Sequence, residues 1–214
     1  AQNGKRLSFK DLDLNSRRIA AHLSSIGIGR GDVVSVQLPN WIEFVMIHLA
    51  ALRLNAITNP LLPNYREKEL AYFLNFANTK VVFIAYEYRQ YKYEQCYENI
   101  ISSLPSLKAI YVIGQSNETG TFQNFSDLLQ IEPSRQVPST VFGPDDISTV
   151  IFTSGTESKS KAVMHSQNTM MYGTQTMANL LNLTEDDVVW APSPLGHGTG
   201  FLWGMRQALH IGAK

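Results

Sequence analysis

The 214-residue sequence holds a single cysteine, Cys96, so no intrachain disulfide can form, and a reducing, cytoplasmic setting is expected. Neither charge is in excess. Lys+Arg and Asp+Glu number 18 each, which removes the basic footprint expected of a nucleic-acid or anionic-membrane binder. No long apolar run is present. The longest, Trp41–Leu54, is interrupted by Glu43, His48 and Arg53 and falls short of the roughly 20 residues that cross a bilayer. Residues Ala1–Lys10 are polar and lack the apolar centre of a secretory leader. Internal repeats and low-complexity tracts are lacking too, which excludes solenoids and linker-like chains.

What remains is a globular composition. Hydrophobic residues make up 44% of the chain. A domain of this size buries about 70% of its unfolded surface, enough for one substantial core. Ser8 followed by Asp11 has the form of a helix N-cap, and Leu12, Ile19, Ala20, Leu23 and Ile26 then recur at helical spacing up to Gly27. Asp32–Leu38 is a short β-branched run closed by Pro39, and Trp41–Leu54 returns to helical periodicity. Ala56–Asn59 is expected to be extended, Arg66–Asn78 helical, Lys80–Ala85 a strand buried on both faces, Tyr91–Leu104 helical and Ala109–Ile113 a strand. A short helix is expected near Phe125–Gln130. Strands alternating with helices point to an α/β fold, a mostly parallel sheet layered with helices.

The chain divides into a first α/β block at 1–131, a proline-bearing linker at 132–144 and a second block at 145–214. In the second block Ile147–Phe152 and Val188–Ala191 are expected strands, and Ser166–Leu183 and Phe201–His210 expected helices. The tyrosines Tyr86, Tyr88, Tyr91, Tyr93 and Tyr97 could form a stacking platform for bases. With no net charge, surface aromatics at a strand end and helix are the simpler account, and no nucleic-acid partner is expected.

Chemistry concentrates at Ile151–Val163, IFTSGTESKSKAV. A buried strand runs into Thr153, Ser154, Gly155 and Thr156, then into a polar loop ending at Lys161. Hydroxyl donors, a glycine that permits close backbone approach and a mobile cation together suit a polyphosphate. Two other phosphate signatures fail. GxxxxGK[ST] is absent, because Ser160 stands five residues after Gly155 and Ala162 follows Lys161. GxGxxG fails at Gly196–Phe201, where the third glycine falls one residue early. Composition alone leaves an ordinary surface loop equally admissible.

Thr153-Ser154-Gly155-Thr156-Glu157 with Lys161 resembles the phosphate loop of the adenylate-forming superfamily, which includes acyl-CoA synthetases, luciferases and peptide-synthetase adenylation domains. The likeness extends over nearly the whole chain. It takes in Gly31-Asp32-Val33-Val34, Leu38-Pro39-Asn40, Pro60, Leu62-Pro63, Glu69-Leu70, Asp145-Asp146-Ile147 and the run Ala191–Phe201. In detail it is nearest to bacterial short- or medium-chain fatty acyl-CoA ligases and cyclohexanecarboxylate-CoA ligases. Four positions depart from the pattern: the family usually has Gly at Asn55, Ser158 and Ala162, and Pro at Ser160.

The resemblance implies a ligase that uses ATP with Mg²⁺ to turn a small carboxylic acid, in fatty-acid metabolism, into acyl-AMP and then a CoA thioester. It implies that Thr153, Ser154, Gly155, Thr156, Glu157 and Ser158 cradle phosphates, with Lys161 facing the leaving group. His197 is expected to line the acyl side with Gly198 and Phe201, although a loop histidine bonded only to backbone remains open. Trp203 could share that wall or belong to a core helix. His165 is expected beside a helix start, and His22, His48 and His210 in structural roles. No protein metal ligand is assigned. The adenine motif, ribose-binding aspartate, hinge and C-terminal lysine of the family have no counterpart here. The chain is therefore expected to be an N-terminal piece, inactive alone and able to self-associate. A degenerate, non-catalytic nucleotide- or acyl-binding module is the alternative. A Rossmann-type dehydrogenase is disfavoured by the failed glycine spacing.

Overall fold

The computed structural model describes residues 6–114, 120–133, 143–153 and 160–214. Helix α1 (Phe9–Ser25) begins at the expected cap: the Ser8 hydroxyl accepts from the Asp11 N–H, and the Asp11 carboxylate accepts from the Ser8 N–H. The chain then forms β1 (Val33–Gln37), α2 (Ile42–Arg53), β2 (Ile57–Pro60), α3 (Glu67–Phe76) and β3 (Thr79–Ala85). After these come a small hairpin β4–β5 (Glu87–Tyr88, Tyr91–Lys92), α4 (Glu94–Ile100), β6 (Ala109–Ile113), β7 (Phe122–Asn124) and α5 (Phe125–Leu128). The last part holds β8 (Ile147–Phe152), β9 (Ala162–Ser166), α6 (Gln167–Leu181), a π-helical segment (Gly200–Arg206) and α7 (Gln207–Ile211).

Seven strands form one sheet in the order β7-β6-β3-β1-β2-β8-β9. Every neighbouring pair is parallel except β8–β9. This is the expected α/β architecture, and strands from both halves of the chain lie in the one sheet. Strand β1 is central and buried on both faces, which is why VVSVQ shows no alternation. Its polar residues are met by neighbours. Ser35 and the Thr79 hydroxyl lie 2.8 Å apart, and Asn59 donates to Ser35 at 2.8 Å. Parallel pairing places the carboxyl ends of β1, β2, β3, β6 and β8 on one edge.

Four stretches differ from the sequence expectations. Tyr91 and Lys92 pair with Tyr88 and Glu87 in a hairpin rather than opening the next helix. Arg89 and Gln90 both take positive φ, 51° and 64°, as a two-residue hairpin turn requires. Strands β7 and β9 are additions; β9 is specified by its pairing with β8 more than by its own AVMHS sequence. Val188–Ala191 forms no strand. Val188 and Trp190 face solvent, 72% and 84% exposed, and β-propensity without a neighbouring strand makes no ladder. Asn55 takes φ 53°, so the glycine usual in the family here answers to a left-handed backbone that asparagine tolerates. Among the described residues no helix is long and apolar enough to cross a membrane.

A buried polar chain crosses the core on one side of the sheet. His48 on α2 meets the Thr58 hydroxyl on β2 at 2.9 Å through Nδ1, and Arg206 at 3.3 Å through Nε2. Phe201 closes edge-on over the His48 ring at 4.9 Å. Burial, reinforced by the Arg206 charge, holds His48 well below the usual imidazole range, so the ring is neutral. As the pH falls below about 6.5, the unfolded chain takes up a proton here and the folded chain does not. Stability should therefore decline toward acid, by up to ~1.4 kcal/mol per pH unit from this one group. Urea unfolding of the chain between pH 7 and 5 is expected to show that slope, and His48→Asn should flatten it by the same amount. Equal slopes in the two proteins would show that His48 is not the group responsible.

Candidate active site at the carboxyl edge of the sheet

The carboxyl edge gathers three loops that the sequence had singled out separately. The first follows β2. Gln37, buried at the end of β1, donates through Nε2 to the carbonyls of Leu62 and Tyr65, both at 3.1 Å. Its Oε1 accepts from the Tyr97 hydroxyl at 2.9 Å. Tyr93 donates to the Pro63 carbonyl at 2.8 Å, and the Arg66 guanidinium lies over the Tyr91 ring at 3.7 Å while donating to the Pro63 and Tyr65 carbonyls. All five tyrosines of the cluster thus have local partners, Tyr86 through the Lys92 ammonium 5.6 Å from its ring centroid. Tyr93, Tyr97 and Tyr91 brace the Leu61–Arg66 turn, and Tyr88 stands edge-on to Trp41. Burial pushes Tyr97 well above the ordinary phenol range, which keeps it a neutral donor.

The second loop leaves β8. Its base is closed by Thr153, whose N–H donates to the Lys161 carbonyl at 2.9 Å, continuing the antiparallel ladder in which Phe152 faces Ala162. Lys161 is exposed at the mouth of this hairpin. Ala162 lies in regular strand, so the glycine usual in the family is not required by the backbone there. From α3, Phe73 stacks on Phe152 with ring centroids 4.3 Å apart, and the Tyr72 hydroxyl donates to the Ser160 carbonyl at 3.2 Å. Ser154, Gly155, Thr156, Glu157 and Ser158 lie outside the described residues.

The third loop carries His197. It follows an extended stretch rather than a strand, and that stretch is held by Asn40, just beyond β1. The Asn40 carboxamide donates to the carbonyls of Ala191 and Ser193 at 3.0 and 2.9 Å and accepts from the Leu195 N–H at 2.8 Å. His197 is exposed; its N–H donates to the Pro194 carbonyl at 3.0 Å, and its Nδ1 accepts from the Thr199 N–H at 3.2 Å. Gly196 is pressed against the Leu61 carbonyl, where a Cβ would overlap backbone. One built on Gly198 would meet only Ile151 Cδ1, at 4.0 Å. The His197 turn therefore lies against Leu61, the residue just after β2, and beside β8, the strand that leads into the Thr153–Lys161 segment. Phe201 is fully buried against Phe44 and His48.

Asn40, Gln37 and Tyr72 were not singled out as site residues by the sequence. Asn40 stands inside a motif shared with the resembled family, Leu38-Pro39-Asn40, and that was its one signal. Histidines elsewhere have local partners: His22 meets the Tyr111 hydroxyl at 2.6 Å and His210 the Gln175 carboxamide at 3.0 Å. Among the described residues no three His, Cys, Asp or Glu side chains gather as a metal site.

The chain matches the family described as AMP-binding enzyme over residues 1–214. It is 34% identical over 212 residues to a medium-chain fatty-acid–CoA ligase of Escherichia coli K12, covering 99% of this chain and 37% of that protein. It is 30% identical over 192 residues to a 2,3-dihydroxybenzoate-AMP ligase of Bacillus subtilis 168, covering 89% of this chain and 34% of that protein. The fold superposes on an anthranilate CoA ligase, AuaEII, crystallised with anthranoyl-AMP. The TM-score is 0.89 at 21% identity, over 98% of this chain and 39% of that one. The chain thus spans little more than a third of the length of these relatives.

The two glycines of the His197 turn make opposite predictions. Gly196→Ala should cost about 1–3 kcal/mol or displace the turn, because its Cβ would meet backbone that cannot rotate away. Gly198→Ala should be close to neutral. Thermal unfolding of both variants checks this, and equal losses would mean that the packing on Leu61 does not hold the turn.

Proposed function

The chain belongs to the AMP-binding enzyme family, and on that premise we propose that the whole protein is an ATP-dependent acyl-CoA ligase of which these residues form the N-terminal part. The observation that carries the reading is that the closing pair Thr153 and Lys161, at the end of the β8–β9 ladder, and the His197 turn stand on one sheet edge. The curated relatives named for CoA and AMP ligation support it.

In the proposed reaction a substrate carboxylate oxygen attacks the α-phosphorus of ATP. The α–β anhydride bond breaks, pyrophosphate leaves, and acyl-AMP forms. The CoA thiolate then attacks the acyl carbon and AMP departs. Thr153, Ser154, Gly155, Thr156, Glu157 and Ser158 are assigned to the phosphates, and Lys161 to the charge that grows on pyrophosphate. Mg²⁺, carried in with the nucleotide, would share that neutralisation. His197 and Gly198 are assigned to the acyl side. Phe201, buried beneath the turn, would back that wall from the core rather than touch solvent. The acid is proposed to be small, aliphatic or alicyclic, and the protein cytoplasmic. The fragment, with a phosphate loop and part of an acyl wall only, is proposed to be inactive alone and to associate through its exposed apolar residues on β9 and α6, among them Met164, Tyr172 and Leu180.

The test is carboxylate-dependent exchange of pyrophosphate into ATP by the full-length protein, across short- and medium-chain and alicyclic acids. Exchange is expected with at least one; silence across the series would refute the ligase. Lys161→Ala should slow the adenylation step by roughly ten- to a thousandfold, the scale for one electrostatic contact to a developing anion. An unchanged rate would mean that Lys161 does not face the leaving group.

A further inference from the structure

We propose that Asn40 is a positioning residue: its carboxamide sets the His197 turn, and through it the acid-binding side of the reaction, without serving the phosphate loop. The role rests on the proposed function only for its kinetic consequence; the positioning itself stands on geometry.

Residues 191–195 form no ladder with the sheet, so their backbone groups must be satisfied by other means. Asn40 meets three of them, the carbonyls of Ala191 and Ser193 and the N–H of Leu195, across more than 150 residues of sequence. Two carbonyls need donors and one N–H needs an acceptor, so the amide fits in one orientation only. Aspartate supplies no donor, and serine or threonine is too short to span the three groups.

The fixed stretch leads directly into the site. Leu195 precedes Gly196, which packs on the Leu61 carbonyl. The Pro194 carbonyl accepts from His197, and the His197 carbonyl accepts from Phe201 at 2.9 Å, where the buried helical segment begins. The turn is thereby held at both ends, by Asn40 and by Phe201. The phosphate-loop hairpin has separate supports: the β8–β9 ladder, the Thr153–Lys161 bond, and Tyr72 and Phe73 of α3. None of these passes through Asn40.

Asn40→Ala and Asn40→Asp in the full-length enzyme separate the two sides. Pyrophosphate exchange should show KM for the acid raised on the order of tenfold to a hundredfold, the range for two or three lost hydrogen bonds, with KM for ATP within about twofold. The aspartate variant should be no better than alanine, since its charge faces two carbonyls. Gly196→Ala, which reaches the same turn from β2, should give the same acid-selective pattern. Equal rises in both KM values, or unchanged kinetics, would overturn the proposal. Hydrogen–deuterium exchange provides a readout independent of activity. Uptake in Asn40→Ala should quicken in residues 189–201 and remain as in wild type around 147–166. Unchanged uptake in 189–201, or quickening throughout the chain, would overturn it. If the wild-type enzyme exchanges no pyrophosphate, the ligase reading fails and the deuterium result alone decides the role of Asn40.

Discussion

Loops that leave the carboxyl edge of a parallel sheet must satisfy their backbone groups without a ladder, and in this chain two carboxamides at the end of one strand meet that need. Gln37 ties the turn after β2 to β1, and Asn40 does the same for the stretch before His197. Gln37 ends the central strand and Asn40 lies three residues beyond it, and the sheet fixes that strand on either side. A neutral amide suits this task better than a charge, because it offers donors and an acceptor together with little desolvation penalty. The site's geometry is thus referred to the most deeply buried strand of the domain.

The core supplies the second layer of support. His48, kept neutral, links α2, β2 and Arg206 of the π-helical segment, while Phe201 lies across the imidazole. Segments of this helical type often mark places where a turn is added for function rather than stability. Here Gly200 lets the carbonyls of Ser193 and Pro194 fold back over the first residue of the segment, where a Cβ would overlap them. The turn bearing His197 is therefore shaped by close backbone approach on both sides.

Much of the architecture was legible because it rests on local signals. The capping pair Ser8–Asp11, the unbroken apolar runs of β1 and β3, and the strand Ile147–Phe152 each stand where periodicity and propensity put them. Misreadings arose where a neighbour, not the segment, decides. AVMHS became a strand through its antiparallel partner, and Tyr91–Lys92 left the helix because Arg89 and Gln90 close a hairpin. Val188–Ala191 stayed out of the sheet because its backbone meets Lys214, through the Val189 N–H, rather than a strand of the sheet. For the loop after β8 the sequence offered a residue-type argument only, hydroxyls, glycine and lysine together suiting a phosphate.

By itself the sequence determined the alternation of strands and helices, the phosphate-suited loop and the family resemblance, because these depend on residue types at short spacing. Tertiary structure decided which loops share an edge. It brought Gly196 against Leu61, Gly198 beside Ile151 and Asn40 to a stretch some 150 residues away. Such meetings depend on the order in which strands enter the sheet, and no local pattern records that order. They are also what gives a carboxamide in a short motif its task, since hydrogen bonding becomes specific only once both partners have been placed.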